Sequence, residues 1–463
     1  MIIRTFDEIA GMVSGTAHGG DSSLMIRGVS KDTRAISRGN LYIPLIGERF
    51  DGHDYAAEAI RLGASATLWQ ADHGEPPAGL PAIVVADALA ALQQLAARYR
   101  KQLPVRIVGV TGSNGKTSTK DMIAAALAGT FTVHKTEGNL NGDIGLPLMI
   151  LQMDEKTEIA VLEMGMRGFG EIELLTKIAR PEAAVITMIG EAHMERLGSR
   201  EGIGRAKLEI LSGLQHGGLF VYNGDDPLLE KLLPEAAKPE EMRTVRFGER
   251  NSNDLWPAIW AIDGEATTFT LNGASEPVYR IPLLGAHNAV NALAAFAIGR
   301  HFGLTDAQIA AGLQSMTPTG MRIERVESAS GLTILNDAYN ASPASTRAAL
   351  ETLKALSGYG QKIVVLGDML ELGEQEAAFH RDIGEQLDPN RFDYVFAFGP
   401  LSVHTAEAAQ ANFPSGRVLW ADSKDEIVSR IGSVAKRDDV VLVKGSRGMR
   451  LEEVVQRLVS ATL

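Results

Sequence analysis

Short apolar runs, separated by longer segments of mixed polarity, recur along most of the chain. In the middle of the sequence they occupy residues 105–110, 159–164, 183–187 and 218–223. Uninterrupted short runs rich in Val, Ile and Ala are typical of central strands in a parallel sheet, which are buried on both faces. The segments between them have the length and composition of helices. The pattern therefore predicts alternating strands and helices, an α/β fold.

The alternation restarts towards the C-terminus, with apolar runs at residues 334–337, 362–367, 394–398 and 440–444. This second series predicts an open, doubly wound, Rossmann-like sheet. Pro318 and Gly320 mark the break before it. Just upstream, residues 243–284 contain shorter alternating runs, which predict a small antiparallel extension of the preceding domain.

The first hundred residues mix short strand-like runs, at residues 41–45 and 82–85, with helical patterns. Asp87 is predicted to cap a helix that extends to Tyr99, and Pro104 marks a break. We therefore predict three domains: a smaller N-terminal α/β domain at residues 1–104, a central parallel-sheet domain at 105–318 and a C-terminal Rossmann-like domain at 319–463.

Composition agrees with this division and narrows the function. A chain of 463 residues is too long for one ordinary core, and 45% hydrophobic with 22% charged residues is usual for a globular protein. The net charge of -12 provides no bulk basic surface for nucleic acid or anionic membranes. The absence of cysteine excludes disulfides and thiolate metal sites. Because no apolar stretch approaches a membrane span or a signal sequence, we expect a cytoplasmic protein without membrane insertion.

The most informative motif is TGSNGKT at residues 111–117, which follows a predicted strand and precedes a predicted helix. Backbone N–H groups at such a turn face a phosphate, Lys116 adds a positive charge, and the Thr117 hydroxyl can hold Mg²⁺. The general P-loop pattern has glycine where this chain has Val110, so the loop is a variant. The alternative is a chance glycine-rich turn. The motif makes the central domain a predicted P-loop ATPase domain.

Further candidates follow strand ends. Glu163 ends an apolar run, where a carboxylate can reach a metal ion on the phosphates, although a solvated glutamate fits as well. His193 follows another strand and could be structural or a ligand. Lys207 resembles an ordinary lysine on a helix surface. Asn288 and Asn291 have helical i,i+3 spacing and could contact a base, or could be a cap and a packed polar residue.

Taken together, these residues resemble the Mur ligases, which build the peptide stem of peptidoglycan. The resemblance covers essentially the whole chain and includes GERFDGHD at 47–54, GAHNAVNA at 285–292, NDAYNASP at 336–343, LGDMLELG at 366–373 and KGSRGM at 444–449. It implies an N-terminal UDP-binding domain, a central ATPase domain and a C-terminal domain that binds the incoming dipeptide.

The resemblance also implies residue roles. Thr117 and Glu163 would hold one Mg²⁺, and His193 with a carbamylated Lys207 would hold a second. Lys116, Lys207 and His193 would be catalytic. Nucleotide contacts would come from Gly112, Ser113, Asn114, Gly115, Lys116, Thr117, Ser118, Asn288, Asn291, Arg322 and Asp337. Substrate contacts would come from Ser30, Asp32, Thr33, Arg34, Phe50, Asn139, Asn141, Tyr339 and Asn340. Ser342 stands where asparagine is expected.

The implied reaction uses ATP to join D-alanyl-D-alanine to the carboxylate of UDP-N-acetylmuramoyl-tripeptide through an acyl phosphate. The implied partners are these small molecules, not nucleic acid, and a monomer is expected. The residues leave open the third residue of the tripeptide and the base for the amine. Rival interpretations are a ligase that adds a single amino acid, a folylpolyglutamate synthase, a P-loop switch or transporter-type ATPase, and a nucleotide-binding scaffold without activity.

Overall fold

The computed structural model describes residues 1–262 and 264–461 and contains a separate sheet for each predicted domain. The N-terminal strands are β1 (Ile3–Thr5), β2 (Thr16–His18), β3 (Met25–Arg27), β4 (Val29–Ser30), β5 (Leu41–Tyr42), β6 (Ile46–Gly47), β7 (Phe50–Asp51), β8 (Ala66–Gln70) and β9 (Ala82–Val85). The helices are α1 (Phe6–Val13), α2 (Ala56–Arg61) and α3 (Ala88–Gln102). The main sheet has the order β2-β9-β8-β5-β4, with β6 and β7 forming a separate hairpin.

The central strands are β10 (Arg106–Thr111), β11 (Val133–Lys135), β12 (Ile159–Glu163), β13 (Ala183–Ile186), β14 (Leu219–Asn223), β15 (Arg243–Phe247), β16 (Pro257–Ile262), β17 (Thr267–Leu271) and β18 (Tyr279–Ile281). The helices are α4 (Lys116–Ala128), α5 (Gly145–Gln152), α6 (Glu171–Ala179), α7 (Met194–Leu197), α8 (Arg200–Leu208), α9 (Pro227–Leu232), α10 (Ala286–His301) and α11 (Asp306–Gln314). Six strands form the parallel sheet β11-β12-β10-β13-β14-β15.

The C-terminal strands are β19 (Glu324–Glu327), β20 (Thr333–Asp337), β21 (Lys362–Gly367), β22 (Tyr394–Phe398), β23 (Val418–Ala421) and β24 (Val440–Lys444). The helices are α12 (Pro343–Ala355), α13 (Glu376–Glu385), α14 (Ser402–Gln410), α15 (Lys424–Val434) and α16 (Glu452–Ser460). The sheet order is β19-β20-β24-β21-β22-β23, with only the edge strand β19 antiparallel.

The predicted strands and the three-domain α/β architecture are confirmed. Asp87 caps α3 as expected, because its carboxylate accepts the Ala90 N–H at 2.6 Å. One expectation is wrong in part. The antiparallel extension comprises only β16, β17 and β18, whereas β15 pairs in parallel with β14 at the edge of the main sheet. Short alternating runs do not distinguish an edge strand, which has one face open, from a separate hairpin.

Apolar side chains cover both faces of the central sheet, as its near-continuous hydrophobic strands require. Helices α3, α5 and α6 pack on one face, where the N-terminal domain joins the same core. Helices α4, α10 and α11 pack on the other. Loops at the carboxyl ends of the strands are left to carry polar groups. No helix in the described residues is long and apolar enough to span a membrane.

Candidate active site

The TGSNGKT loop lies between the carboxyl end of β10 and the start of α4, at the centre of the parallel sheet. Its conformation requires glycine at two positions. Gly112 has φ 147°, and a Cβ atom there would lie 1.8 Å from Thr187 Oγ1. Gly115 has φ 80°, and its Cβ would lie 2.9 Å from Asn291 Nδ2. The loop is therefore folded tightly against the end of β13 and against α10. At these two glycines no side chain covers the backbone.

Hydrogen-bond donors surround this loop, and two of them have no partner in the described part of the chain. Gly115, the residue before α4, provides no side-chain cap for the helix. Ser113 Oγ and Arg322 Nε are buried and have no hydrogen-bond partner among the described residues. Lys116 Nζ donates to the carbonyls of Gly112, at 2.8 Å, and Ser113, at 3.3 Å. Open donors beside a helix N-terminus and a lysine form a site for an anion.

Glu163 is the centre of a hydrogen-bonded group at the end of β12. Its Oε2 accepts the Thr117 hydroxyl at 2.9 Å, and its Oε1 accepts Asn141 Nδ2 at 2.8 Å. The backbone N–H of Glu163 donates to Thr136 Oγ1 at 2.9 Å, which fixes the end of the strand. The predicted metal ligands Thr117 and Glu163 thus lie side by side, and both are buried.

Lys207 differs from its sequence-based interpretation. It is not on a helix surface: its side chain is 2% exposed, lines the same cavity as the phosphate loop, and has no hydrogen-bond or ion-pair partner in the described structure. Burial, with a smaller contribution from the charge of Lys116, lowers the pKa of Lys207 well below its usual value. The error arose because the helical pattern around Lys207 does not show which face packs inward.

His193 lies near the two lysines and contacts the C-terminal domain. Its Nδ1 is 2.7 Å from Glu371 Oε2. Burial lowers the pKa of His193, the Glu371 carboxylate opposes this change, and the charges of Lys116 and Lys207 add to it. Glu371 was part of a quoted motif but was not identified as a site residue, since nothing in the sequence indicates which side chain will reach another domain.

The carboxyl edge of the C-terminal sheet faces the phosphate loop. Arg322 Nη2 donates to Thr117 Oγ1 at 2.8 Å, and its guanidinium lies 4.3 Å from the centre of the Tyr339 ring. Ser342, which caps α12, donates to Asn114 Oδ1 at 3.1 Å. Ser342 therefore contacts the loop directly. The resemblance had left its role open, because asparagine is expected at this position.

On the same wall, Lys444 Nζ donates to Asp337 Oδ2 at 2.6 Å and to the Asn340 carbonyl at 3.1 Å. Burial raises the pKa of Asp337, while Lys444 opposes the shift. Lys444 was missed as a site residue, but its position at the carboxyl end of an apolar strand was a usable signal.

Asn288 and Asn291, one turn apart on α10, both line the cavity. Asn288 Nδ2 donates to the Leu284 carbonyl at 2.8 Å, which leaves its side-chain oxygen as the free acceptor. The adjacent His287 is partly buried, and burial followed by the charge of Lys444 lowers its pKa to about 4.

These groups line one cavity of about 1260 Å³ between the central and C-terminal domains. Among the predicted substrate residues, Asn139, Asn141, Tyr339 and Asn340 line it. From residues 1–104, all of which are described, only Lys31 lines it, and no role was predicted for this residue.

The predicted uridine-binding residues on either side of Lys31 do not line the cavity. Ser30 Oγ donates to the Asp32 carbonyl at 2.9 Å, and Arg34 Nη2 donates to Asp32 Oδ2 at 2.7 Å. Thr33 begins the short helical turn that Asp32 caps. Hydrogen bonds from Arg34 lower the pKa of Asp32 to about 2. Phe50 is 59% exposed on the β6–β7 hairpin.

Three family models match successive parts of the chain. The Mur ligase family catalytic domain matches residues 25–100, the Mur ligase middle domain 110–299, and the Mur ligase glutamate ligase domain 321–447. A Bacillus subtilis protein named UDP-N-acetylmuramoyl-tripeptide–D-alanyl-D-alanine ligase is 47% identical over 464 residues, which cover 100% of both chains. The chain belongs to the Mur ligase family.

Solved structures of family members agree over the whole length. A crystal structure of MurF from Acinetobacter baumannii has a TM-score of 0.89 and 29% identity, and the match covers 99% of both chains. The MurF ligase of Thermotoga maritima, solved in complex with ADP, has a TM-score of 0.81 and 31% identity over 94% of this chain and 97% of that one. The expected family and its three-domain fold are therefore confirmed.

Proposed function

We propose that this Mur ligase joins D-alanyl-D-alanine to the C-terminal carboxylate of UDP-N-acetylmuramoyl-tripeptide, with ATP converted to ADP and phosphate. The observation that carries the proposal is the single cavity that brings the phosphate loop, Glu163, Lys207 and the end of the C-terminal sheet together. The full-length similarity to relatives named as UDP-N-acetylmuramoyl-tripeptide–D-alanyl-D-alanine ligases supports the choice of substrates. Because the reaction needs ATP and a nucleotide-linked sugar, we place it in the cytoplasm.

The nucleotide would lie along the central wall of the cavity. The TGSNGKT loop and the N-terminus of α4 would bind the phosphates, with Lys116, Ser113 Oγ and Arg322 Nε as additional donors. The free side-chain oxygen of Asn288 suits the exocyclic amine of adenine, and Asn291 lies against the loop at Gly115. Asp337, held by Lys444, would approach the ribose.

The donors fit magnesium. Thr117 and Glu163 offer adjacent oxygen atoms, the ligands that Mg²⁺ prefers, and would hold one ion. His193 and Lys207 would hold a second, provided Lys207 carries an anionic oxygen group. Bound Mg²⁺ ions would neutralise charge between the phosphates and the attacking carboxylate.

Carbamylation would give Lys207 that group. A buried lysine without a partner is an unfavourable place for an ammonium charge. A neutral amine instead reacts with CO₂, forming an N–C bond and releasing one proton, and the resulting carbamate is negative. Its oxygens would provide a hard ligand where an ammonium would repel a cation.

The reaction would then proceed in two steps. A carboxylate oxygen of the tripeptide attacks the γ-phosphorus, and ADP leaves with the electrons of the broken P–O bond. The dipeptide amine attacks the acyl carbon, loses a proton, and phosphate leaves. Lys116 and Arg322 would stabilise charge on the transferred group, and the C-terminal domain would exclude water from the acyl phosphate.

We assign the UDP moiety to the N-terminal domain (1–104), ATP to the central domain (105–318) and the dipeptide to the C-terminal domain (319–463). The UDP end would be bound by Ser30, Asp32, Thr33, Arg34 and Phe50. Lys31, which lines the cavity, would contact the substrate where it enters. Asn139 and Asn141 would contact the muramyl peptide, while Tyr339 and Asn340 would contact the dipeptide.

Arg34→Ala should raise KM for the UDP-tripeptide only, and Asn340→Ala should raise KM for the dipeptide only. Arg34→Ala altering dipeptide affinity alone would overturn this division.

The direct test is phosphate release with ATP, UDP-N-acetylmuramoyl-tripeptide and D-alanyl-D-alanine, omitting each in turn. We expect full turnover only with all three, and none in Lys116→Ala. Equal turnover with free D-alanine or glutamate as acceptor would favour a ligase that adds a single amino acid. Steady hydrolysis without any acceptor would favour a switch-type ATPase.

A further inference from the structure

Glu371 is the only described residue of the C-terminal domain that forms an ion pair with His193. The pair joins Glu371 Oε2 and His193 Nδ1 at 2.7 Å. The carboxylate faces Nδ1 at this distance, which favours the tautomer with its proton on Nδ1 and its lone pair on Nε2. A histidine that ligates a metal is usually held in this way by a carboxylate on its other nitrogen.

The loop that carries Glu371 is firmly supported. Asp368, 1% exposed, accepts both the backbone N–H and the hydroxyl of Ser402 at 2.7 Å. The next two backbone N–H groups are also fixed, Met369 by His380 Nε2 at 2.9 Å and Leu370 by Ser446 Oγ at 2.9 Å. Glu371 itself has a left-handed backbone, φ 63°, and its neighbour Leu372 is buried. The carboxylate is therefore held out from a rigid base.

The loop also approaches the central domain closely. Gly373 has φ 68°, and a Cβ there would lie 3.3 Å from the Cα of Glu195, two residues after His193. His193 has a left-handed backbone as well, φ 68°, at the start of α7. The turns at Glu371 and His193 thus both have left-handed backbones, and their side chains pair across the domain boundary. Such conformations persist where the surrounding structure enforces them.

We infer that Glu371 is a positioning residue for the second metal ion: it fixes the His193 imidazole with Nε2 free to ligate, and does so only when the C-terminal domain is closed. The inference rests on the proposed function, since it presumes a second ion at His193 and Lys207. It couples closure to metal binding. His193 in an open enzyme would lack its carboxylate, so the second ion would bind strongly only after the domains meet.

The test is Mn²⁺ binding to the full chain in bicarbonate buffer with a non-hydrolysable ATP analogue, with free Mn²⁺ followed by electron paramagnetic resonance. We expect two ions in the unmodified protein. Glu371→Ala should weaken the second site by roughly 10–100-fold and leave the first unchanged. Glu371→Gln, whose amide oxygen still accepts the Nδ1 proton, should retain most of the affinity. Glu374→Ala, an equal charge change in the same turn, should have no effect.

The double variant His193→Ala/Glu371→Ala should bind the second ion no worse than His193→Ala, because Glu371 acts through His193. Additive losses would overturn the inference, as would unchanged binding in Glu371→Ala, equal weakening of both sites, or Glu371→Gln behaving like Glu371→Ala. A single ion in the unmodified protein would refute the two-metal part of the proposed function itself and would remove the inference with it. Ligation assays of the unmodified protein distinguish the two errors. Ligation with only one bound ion would mean that the two-metal assignment is wrong, whereas no ligation of these substrates would mean that the substrate assignment is wrong.

Discussion

The two walls of the cavity each contain a lysine that is 2% exposed, and the two lysines differ in whether a carboxylate pairs with them. On the C-terminal wall, Lys444 pairs with Asp337 at 2.6 Å. On the central wall, Lys207 has no partner among the described residues. A third lysine with the same exposure, Lys120, pairs with Asp121 at 3.0 Å below the phosphate loop.

This difference distinguishes structural from chemical uses of a buried charge. A buried ammonium is strongly disfavoured unless a carboxylate and further hydrogen bonds compensate it. Lys120 and Lys444 meet that condition and join parts of the fold. Lys207 does not, and its place in the cavity lining supports the chemical role proposed for it.

The largest expected effect is on stability. In bicarbonate-free buffer, Lys444→Met should lower the free energy of unfolding by about 3–5 kcal/mol, because Asp337 is left buried without its partner. Lys207→Met should be neutral or slightly stabilising, since it removes an uncompensated group. Denaturant unfolding of both variants measures the contrast. Equal destabilisation would mean that Lys207 also has a structural partner.

The next effect is on activity. Lys207→Ala should reduce ligation by roughly 10²–10³-fold, the usual loss when a charge-stabilising group is removed from a reaction site. Acetate should restore part of the rate by supplying a carboxylate in the vacated space. Lys177→Ala, the same substitution at an exposed lysine, is the control. Full activity of Lys207→Ala, or rescue of neither rate nor metal binding by acetate, contradicts the assignment.

A smaller effect concerns pH and the charge of Lys444. His287 has its pKa lowered to about 4 in the folded state, by burial first and Lys444 second. The unfolded chain therefore takes up more protons between pH 6.5 and 4, so stability falls as the pH is lowered through this window, by about 1–3 kcal/mol. His287→Gln should remove that part of the decline. An unchanged pH profile in this variant would show that the histidine remains accessible to protons.

The smallest expected effect is on stability and concerns the ion pair between Lys120 and Asp121. Asp121 also accepts the hydroxyl of Thr319, in the linker to the C-terminal domain, at 2.6 Å. Thr319→Val should destabilise by only about 1 kcal/mol, because it removes one hydrogen bond to Oδ2 while Lys120 and Lys135 still pair with Oδ1. Thr317→Val, at an exposed position nearby, should change little. A loss as large as that of Lys444→Met would make the linker contact, not the ion pair, the main support.

Much of the fold was predictable from the sequence because parallel strands are buried on both faces and appear as continuous apolar runs. The phosphate loop was predictable for a related reason: close approach of backbone to phosphate restricts which residues fit, and Gly112 and Gly115 have no room for a Cβ. Glu163 followed from its position at a strand end.

Features that depend on contacts between distant segments were not predictable. The helical pattern around Lys207 did not reveal its burial, because the side chain lines a cavity between two domains. Glu371 and Ser342 reach the central domain only through the way two separate sheets face each other. The roles assigned to the uridine turn at Ser30 to Arg34 remain predictions.

The most direct measurement of the central claim is ¹³C NMR of the full-length protein equilibrated with ¹³C-bicarbonate, Mg²⁺ and ADP. We predict one slowly exchanging carbamate resonance that is absent from Lys207→Ala and present in Lys444→Met. No protein-bound carbamate in a preparation that is active in ligation, or a resonance that persists in Lys207→Ala, would contradict it.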